Sequence, residues 1–326
     1  VGQARRSTLD GVSVDYLHYL SPPRGRSYGN WGAWAAPPLR RALRRLHREF
    51  PFELVHAHYA VPAGDAVRRA APEHPVVVSV HGGDVQGPHA NGPFVAPSLI
   101  HARIVMANSA GTADRCRALG ARDVRVVHLG ADLPIAPRPE PAVPTLVTVG
   151  NLVERKRHAD VIAALPRLIR RHQDVRYRII GDGPEREPLR ALAARLGVAD
   201  RVELIGALSH AEAVAEAQGG TLFVLPSVSE AFGVSYIEAM AGGVPAVGSR
   251  GEDGPEEIAR RGGGIELVPP RDPDALGATI DALLSAPERR AELRRRARIT
   301  VQESFTWDGC GRDTVSVYAA ALRPDR

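Results

Sequence analysis

The residue types best suited to chemistry cluster in one short stretch: Pro226-Ser227, then Glu230, Phe232, Gly233, Val234 and Glu238. It runs from an apolar strand pattern, Thr221–Leu225, through a turn into a helical pattern. Amides at residues 232–234 stand at the helix start, where the first turn has no intrahelical acceptors and the dipole favours an anion. Glu230 and Glu238 cannot hold a phosphate themselves. As acceptors they suit sugar and ribose hydroxyls on either side of one. Taken alone, Glu230 reads equally well as a charge near a helix cap, and Glu238 as a solvated helix residue.

A second stretch, Gly150-Asn151-Leu152-Val153-Glu154-Arg155-Lys156, follows another strand pattern. Glycine there lets backbone approach a ligand closely, and Arg155 and Lys156 at the next helix start suit neutralising a leaving diphosphate. Lys156 is the single lysine in a chain whose 42 basic residues are otherwise arginine, which points to a need for a compact ammonium group. The alternative is a solvated basic helix start. Gly181 opens Gly181-Asp182-Gly183-Pro184, a strand-to-helix turn that is not a dinucleotide fingerprint.

Further upstream, the strand Val76–Val80 ends in His81-Gly82-Gly83-Asp84. His81 is placed to hydrogen-bond a sugar hydroxyl, with Asp84 orienting it or contacting the acceptor, although a lone histidine of this kind is more often structural. Ser109 reads as the N-cap of the helix after it. The one Asp-x-Asp near a sheet edge, Asp272-Pro273-Asp274, reads as an N-cap with proline at the first helical position, so no metal site is expected. There is no serine elbow, no histidine pair at metal spacing and no Walker lysine loop.

These residues need elements that present them along one edge. Short apolar runs alternate with helical patterns throughout, which predicts an α/β protein with parallel sheets. The first part holds strands at Val12–Tyr19, Glu53–Ala57, Val76–Val80, Ile104–Ala107 and Val124–His128, with helices at Pro38–Phe50, Ala63–Ala71 and Ala110–Leu119. A proline-rich stretch, Leu133–Pro144, has the composition of a stiff interdomain linker. After it, strands are expected at Thr145–Val149, Tyr177–Ile180, Val202–Ile205, Leu222–Leu225 and Val244–Val247. Two such units leave a cleft, and ligand-facing glycines at strand ends place a ligand in it.

Composition narrows the class. Of 326 residues, 44% are hydrophobic and 24% charged, as in ordinary globular proteins. No apolar run approaches the ~18 residues of a membrane span, and two distant cysteines, Cys116 and Cys310, suit a reducing cytoplasm rather than a disulfide framework. Residues 1–140 carry 17 arginines against 11 acids, a net +6, whereas residues 141–326 carry 25 bases against 26 acids, a net −1. The basic excess lies in the first part and favours an anionic partner, such as a phosphorylated acceptor or a membrane surface. Pro38–Phe50 carries Leu39, Leu43, Leu46 and Phe50 against five arginines; it suits peripheral contact with an anionic membrane or, equally, a surface helix packed on the sheet. Nucleic-acid binding is not expected, because the arginines have no aromatic interleaving.

In order along the chain, His81-Gly-Gly-Asp84, His128-Leu-Gly-Ala-Asp132, Gly150 to Lys156, Gly181-Asp-Gly-Pro184 and the Glu230 to Glu238 element resemble those of family-4 retaining glycosyltransferases. The resemblance covers nearly the whole chain and is most specific from Thr145 to Val268. It implies the GT-B fold: α/β, two Rossmann-like domains with parallel sheets facing across a cleft, and a C-terminal helix crossing back to the N-terminal domain. The implied division is an acceptor-side domain at 1–140, a donor-binding domain at 141–304 and a crossover helix at 305–326. The first strand and Gly-rich loop of that family have no counterpart here, so the first domain is expected to lack them. Asn151 stands where arginine is common, and His128-Leu129 where Pro-Asn is frequent.

The resemblance further implies transfer of a hexose-type sugar from a nucleoside diphosphate to an acceptor hydroxyl, with retention and without a metal or other cofactor. Lys156 and its neighbour Arg155 hold the diphosphate, with Gly150, Asn151, Gly181 and Val234 lining the donor site. Glu238 takes the ribose, Glu230 and the Phe232-Gly233 backbone take the sugar, and His81 stands near the reacting carbon. The alternatives are a sugar-nucleotide epimerase of the same fold and an inactive nucleotide-sugar-binding protein.

Overall fold

The structure is a computed structural model that describes residues 6–20, 27–86 and 94–324. The chain divides into two compact units: Val1–Val127 with Asp313–Arg326, and His128–Arg312.

In the first unit, β1 (Arg6–Leu9) and β2 (Val12–Asp15) form an antiparallel hairpin. The turn is Asp10-Gly11, both at positive φ (49° and 82°), the backbone that a tight two-residue hairpin requires. The run read as one strand from Val12 to Tyr19 is therefore shorter, and its partner was missed although Asp-Gly is a hairpin signal. Helix α1 (Trp31–Glu49) begins well before the expected Pro38 and runs through Pro37 and Pro38. Its Ala36 is buried and Trp31 and Leu39 pack on the core of this unit, while Arg45 bonds Asp15 of the hairpin at 2.7 Å. Part of the α1 stripe is thus used internally. No helix among the described residues is long and apolar enough to cross a membrane.

The main sheet of this unit is parallel, with β3 (Val55–His58), β4 (Val76–Val80), β5 (Ile104–Ala107) and β6 (Val124–Val126) in that order. Helices α2 (Asp65–Ala70), α3 (Ala96–His101) and α4 (Ala110–Ala118) connect them. Strand β4 is buried along its whole length, in keeping with its valines, which only Ser79 interrupts. Ser109 caps α4, its hydroxyl accepting from the Thr112 amide at 3.2 Å, as its residue type predicted.

The second unit is a six-stranded parallel sheet built from β7 (Thr145–Val149), α5 (His158–Ile169), β8 (Arg176–Ile180), α6 (Arg186–Arg195), β9 (Val202–Gly206), α7 (His210–Ala217), β10 (Leu222–Leu225), α8 (Val234–Ala241), β11 (Ala246–Ser249), α9 (Asp253–Arg261) and β12 (Ile265–Val268). Helices α10 (Pro273–Leu284), α11 (Pro287–Ser304) and α12 (Trp307–Ala321) follow. The spatial order is β12-β11-β10-β7-β8-β9. The winding direction therefore reverses between β7 and β10. At such a switch point the loops leaving two adjacent strands diverge and open a crevice at the carboxyl edge. The loops that do so here are 150–157 and 226–233, the two stretches singled out by residue type. Asp272 caps α10, accepting from the Ala275 amide at 2.9 Å with Pro273 at the first helical position.

The proline-rich stretch is not a free-standing linker. Successive turns of α11 hold it: Arg290 bonds Glu140 at 2.7 Å, Arg294 bonds the Arg138 carbonyl at 2.7 Å, and Arg298 bonds the Pro134 carbonyl at 2.6 Å. The Ala131 amide also donates to Phe305 O at 2.9 Å. Residues 128–140 consequently belong to the second unit, and the chain passes between units at Val127–His128 rather than near 140. Helix α12 begins in the second unit and ends in the first, where Tyr318 bonds His56 at 2.7 Å.

Candidate functional site

In the second unit, the strand-to-helix loop after β7 tightens into a 3₁₀ turn at Glu154–Lys156, so Lys156 precedes α5 instead of opening it. Arg157 follows in the left-handed conformation (φ 57°), which turns the chain into the helix and directs the Lys156 side chain inward. Lys156 is only 9% exposed, and its Nζ donates to Glu230 Oε2 at 2.6 Å. The same oxygen accepts from Ser227 Oγ at 3.0 Å and lies 3.7 Å from Arg155 Nη1. Arg155 is half-exposed, whereas Lys156 and Glu230 form a buried pair. Taking both charges out of water is costly, so removing one partner strands the other.

The loop after β10 is fixed from below. The Glu230 amide donates to Glu252 Oε2 at 2.7 Å, and the Glu230 carbonyl accepts from the Gly254 amide at 3.1 Å. Gly233, in the left-handed region (φ 77°), caps α8, and a Cβ there would stand 3.3 Å from Glu230 Cγ. The carboxylate that holds Lys156 therefore packs against the first turn of α8. The amides of Phe232, Gly233 and Val234 donate to no protein acceptor among the described residues. An ammonium group and a set of unpaired helix amides thus stand on either side of one carboxylate at the switch point, an arrangement suited to a diphosphate.

Phe232 contributes backbone to this edge while its ring is core, 2% exposed and packed on Phe305 and on the His128 imidazole. His128 in turn lies 3.0 Å from Glu257 Oε1. The His128 ring thus braces Phe232. Gly150 and Gly181 lie side by side, the Gly150 amide donating to Ile180 O at 3.0 Å. The position that sterically demands glycine is Gly181 (φ 138°), where a Cβ would stand 2.0 Å from Gly150 O. A Cβ at Gly150 would meet only the Lys156 stem, at 3.8 Å. Asn151 is exposed, and its carbonyl lies 3.3 Å from His158 Nε2. His158 is held near pKa 4, mainly by burial, and is neutral at physiological pH. It extends into a buried chain through Tyr177 and Thr148 that spans β8 and β7. Spacing alone gave no sign of this support.

Glu238 lies on α8, its carboxylate mostly buried and 3.7 Å from His210 Nε2. Desolvation raises its pKa; His210 opposes the rise and Asp132 adds to it. It is not the solvated helix residue of the alternative reading.

In the first unit, His81 ends β4, and Asp84 lies beneath it. Asp84 is 1% exposed, and its two oxygens accept from the Ala60 and His81 amides, each at 3.2 Å. A buried carboxylate held by two backbone amides ties the Ala60 and His81 segments together. It fixes the His81 backbone and does not touch its ring in these bonds. Two histidines beside His81 were missed, His56 and His58, because adjacency between β3 and β4 is a property of the sheet, not of the spacing. Their only trace is an alternation, His56-Ala57-His58, that puts both on one face of β3.

Comparison with known proteins agrees with this architecture. The model described as "Glycosyl transferases group 1" matches residues 136–300, and "Glycosyltransferase Family 4" matches residues 4–134. A glycogen synthase of Mycobacterium tuberculosis is 32% identical over 211 residues, 64% of this chain and 51% of that protein. The MMP alpha-(1->4)-mannosyltransferase of Mycolicibacterium hassiacum is 30% identical over 207 residues, 63% of this chain and 50% of that protein. The chain thus spans about half the length of the curated relatives it matches. Among solved structures, sucrose-phosphate synthase of Thermosynechococcus elongatus aligns with a TM-score of 0.81 at 20% identity, covering 98% of this chain and 86% of that one. Anabaena HepE in complex with UDP and glucose aligns with a TM-score of 0.74 at 19% identity, covering 92% and 84%. At such identities the likeness speaks for the GT-B fold alone. The group 1 model, covering half of the chain over the unit that carries Lys156, Glu230 and Glu238, shows that this chain belongs to the glycosyl transferases group 1 family.

Proposed function

We propose that the protein is a retaining glycosyltransferase that moves a hexose-type sugar from a nucleoside diphosphate to an acceptor hydroxyl without a metal ion. The observation that carries this reading is the buried Lys156 ammonium, 2.6 Å from Glu230 Oε2, beside the unpaired amides that open α8. A leaving diphosphate is stabilised in such a setting, where the donors are already oriented before the bond breaks. Lys156 has donors to spare after Glu230, and Glu230 keeps it aimed. Glu238, partly desolvated on the next turns of α8, accepts from ribose hydroxyls. His81 hydrogen-bonds a hydroxyl of the sugar or acceptor. The complex of a same-fold protein with UDP and glucose supports a nucleotide-sugar donor.

Glu230, the carboxylate beside Lys156, is committed to Lys156 and Ser227 and does not suit a covalent nucleophile. Front-face attack fits better. The acceptor O–H adds to the anomeric carbon as the glycosyl–phosphate bond breaks, and the departing diphosphate takes the proton. The test is incubation with UDP-glucose or GDP-mannose and an acceptor panel, with and without EDTA, following nucleoside diphosphate release and the product anomer by NMR. Retention with full activity in EDTA is expected. An inverted anomer would sink the mechanism, loss of activity in EDTA the metal-free reading, and isomerised donor without transfer would make it an epimerase.

A further inference from the structure

Strands β3 and β4 bring His58 and His81 together at their carboxyl ends, with His58 Nδ1 3.0 Å from His81 Nε2 and the rings stacked 5.2 Å apart at 22°. Each ring keeps one nitrogen outside this bond, His58 Nε2 and His81 Nδ1, and neither has a partner among the described residues. Resting on the reading of His81 as a hydroxyl partner, we propose that His58 is a positioning residue that holds His81 in one tautomer. His81 Nδ1 then meets a sugar or acceptor hydroxyl in a single fixed hydrogen-bonding role.

The reasoning is proton bookkeeping. Between two neutral imidazoles at this distance there is room for one N–H. If His58 Nδ1 carries it, His81 Nε2 is the acceptor and the His81 proton must sit on Nδ1, making that nitrogen a donor. If His81 Nε2 carries it, His81 Nδ1 is bare and accepts. An isolated histidine interconverts between the two and presents a mixture to its ligand. The His58 contact removes that independence: the proton position on one ring dictates the tautomer of the other, so the His81 role is set together with that of His58 before a substrate arrives.

The surroundings keep the pair neutral. Burial lowers the pKa of His58, and burial together with His58 lowers that of His81. His56, 4.4 Å from the His58 ring, is itself held at about 4, chiefly by burial and then by the two neighbouring histidines. It is anchored by Tyr318 Oη and Ser79 Oγ, each at 2.7 Å. Tyr59, forced to φ 74°, lays its ring 4.7 Å from His81. Among the described residues, the carboxylate bonded to His81 is Asp84, and it meets the amide. Through its bonds to Ser79 and Tyr318, His56 adds a second brace behind the His58 ring.

The experiment is ¹⁵N NMR of the His81 imidazole in the full chain, across pH, for wild type, His58→Phe and His58→Asn. Phenylalanine keeps the stack and removes the nitrogen. Asparagine returns a polar atom to the same place, because its side-chain amide and the imidazole Nδ1 are both attached at Cγ. His81 should show one neutral tautomer in wild type and His58→Asn. In His58→Phe it should show averaged shifts and a titration midpoint raised towards 6.5. The acid limb of kcat/KM should move up in pH with it. His58→Ser removes the same nitrogen and is the substitute should the phenylalanine variant not fold. Unchanged His81 shifts and midpoint in the folded His58→Phe or His58→Ser protein would overturn the inference. Failure of the underlying reading looks different: a His81→Ala enzyme with wild-type transfer while the spectra still show the lock.

Discussion

Each unit buries a carboxylate where its parallel sheet ends, and the two are used in opposite ways. Asp84 in the first unit is 1% exposed and takes two backbone amides; Glu230 in the second is 7% exposed and takes an ammonium and a hydroxyl. Amide partners are part of the fold and cannot leave it, so Asp84 is a fixture. A lysine side chain can share its donors with an incoming anion, so Glu230 keeps a charge in readiness. The cluster beside Asp84 is built from histidines that burial holds neutral. The second unit thus carries a charged site and the first an uncharged, polar one. Under the proposed reading, that division suits a donor bearing a diphosphate and an acceptor bearing hydroxyls.

The largest effect that would test this contrast is on turnover. Lys156→Ala should slow transfer by about 10²- to 10³-fold, because the lost charge matters most as the diphosphate departs. Lys156→Arg should recover little, since a planar guanidinium does not fit the 2.6 Å point contact with Glu230. Steady-state kinetics with saturating donor give the answer, and wild-type turnover in Lys156→Ala would remove the charged half of the comparison.

Asp84→Ala should act on stability first. It leaves the amides of Ala60 and His81 without acceptors, a cost of about 2–3 kcal/mol, visible as a lower urea midpoint. Gly181→Ala should destabilise the second unit comparably, because a Cβ would overlap Gly150 O and the backbone is left-handed. If Asp84→Ala instead kept full stability and lost acceptor affinity, Asp84 would be a ligand contact after all.

The second unit was largely legible in the sequence and the first only in outline, for a physical reason. Around β7 and β10 the candidate residues lie on contiguous stretches, so Lys156, Glu230, Gly233 and Glu238 stand out by type. What was not visible was pairing across the switch point: that Lys156 meets Glu230, or that Asn151 rests on His158. In the first unit the polar site is assembled across strands, His56 and His58 from β3 with His81 from β4, and single-stretch reading found only His81. The Leu133–Pro144 stretch misled for a related reason. Proline content suggested a stiff linker, but the α11 arginines that pin the stretch lie some 150 residues later, Arg290 on Glu140 being the clearest.

The smallest predicted effect is also the most discriminating, because two observables should move in opposite directions. Glu238 has a folded-state pKa raised above its ordinary 4.5, chiefly by desolvation. A carboxylate raised on folding binds more protons in the native state, so its ionised form costs stability: the cost is absent below 4.5 and grows as pH rises through the folded value. Asp281 is the counter-case in the same unit. Burial alone would raise it, but the His172 hydrogen bond and Arg171 outweigh that and lower it, so it stabilises above 3.8 and the benefit is lost on acidification. Glu238→Gln should therefore raise the thermal midpoint slightly at pH 7 and flatten the decline between pH 4.5 and neutrality. UDP affinity should meanwhile fall by about 10-fold, as a charged acceptor to the ribose becomes a neutral one. Asp281→Asn should lower the midpoint and leave UDP binding alone. A Glu238→Gln protein that loses stability and affinity together would mean that Glu238 is a structural charge like Asp281, and the ribose contact would have to be sought elsewhere on α8.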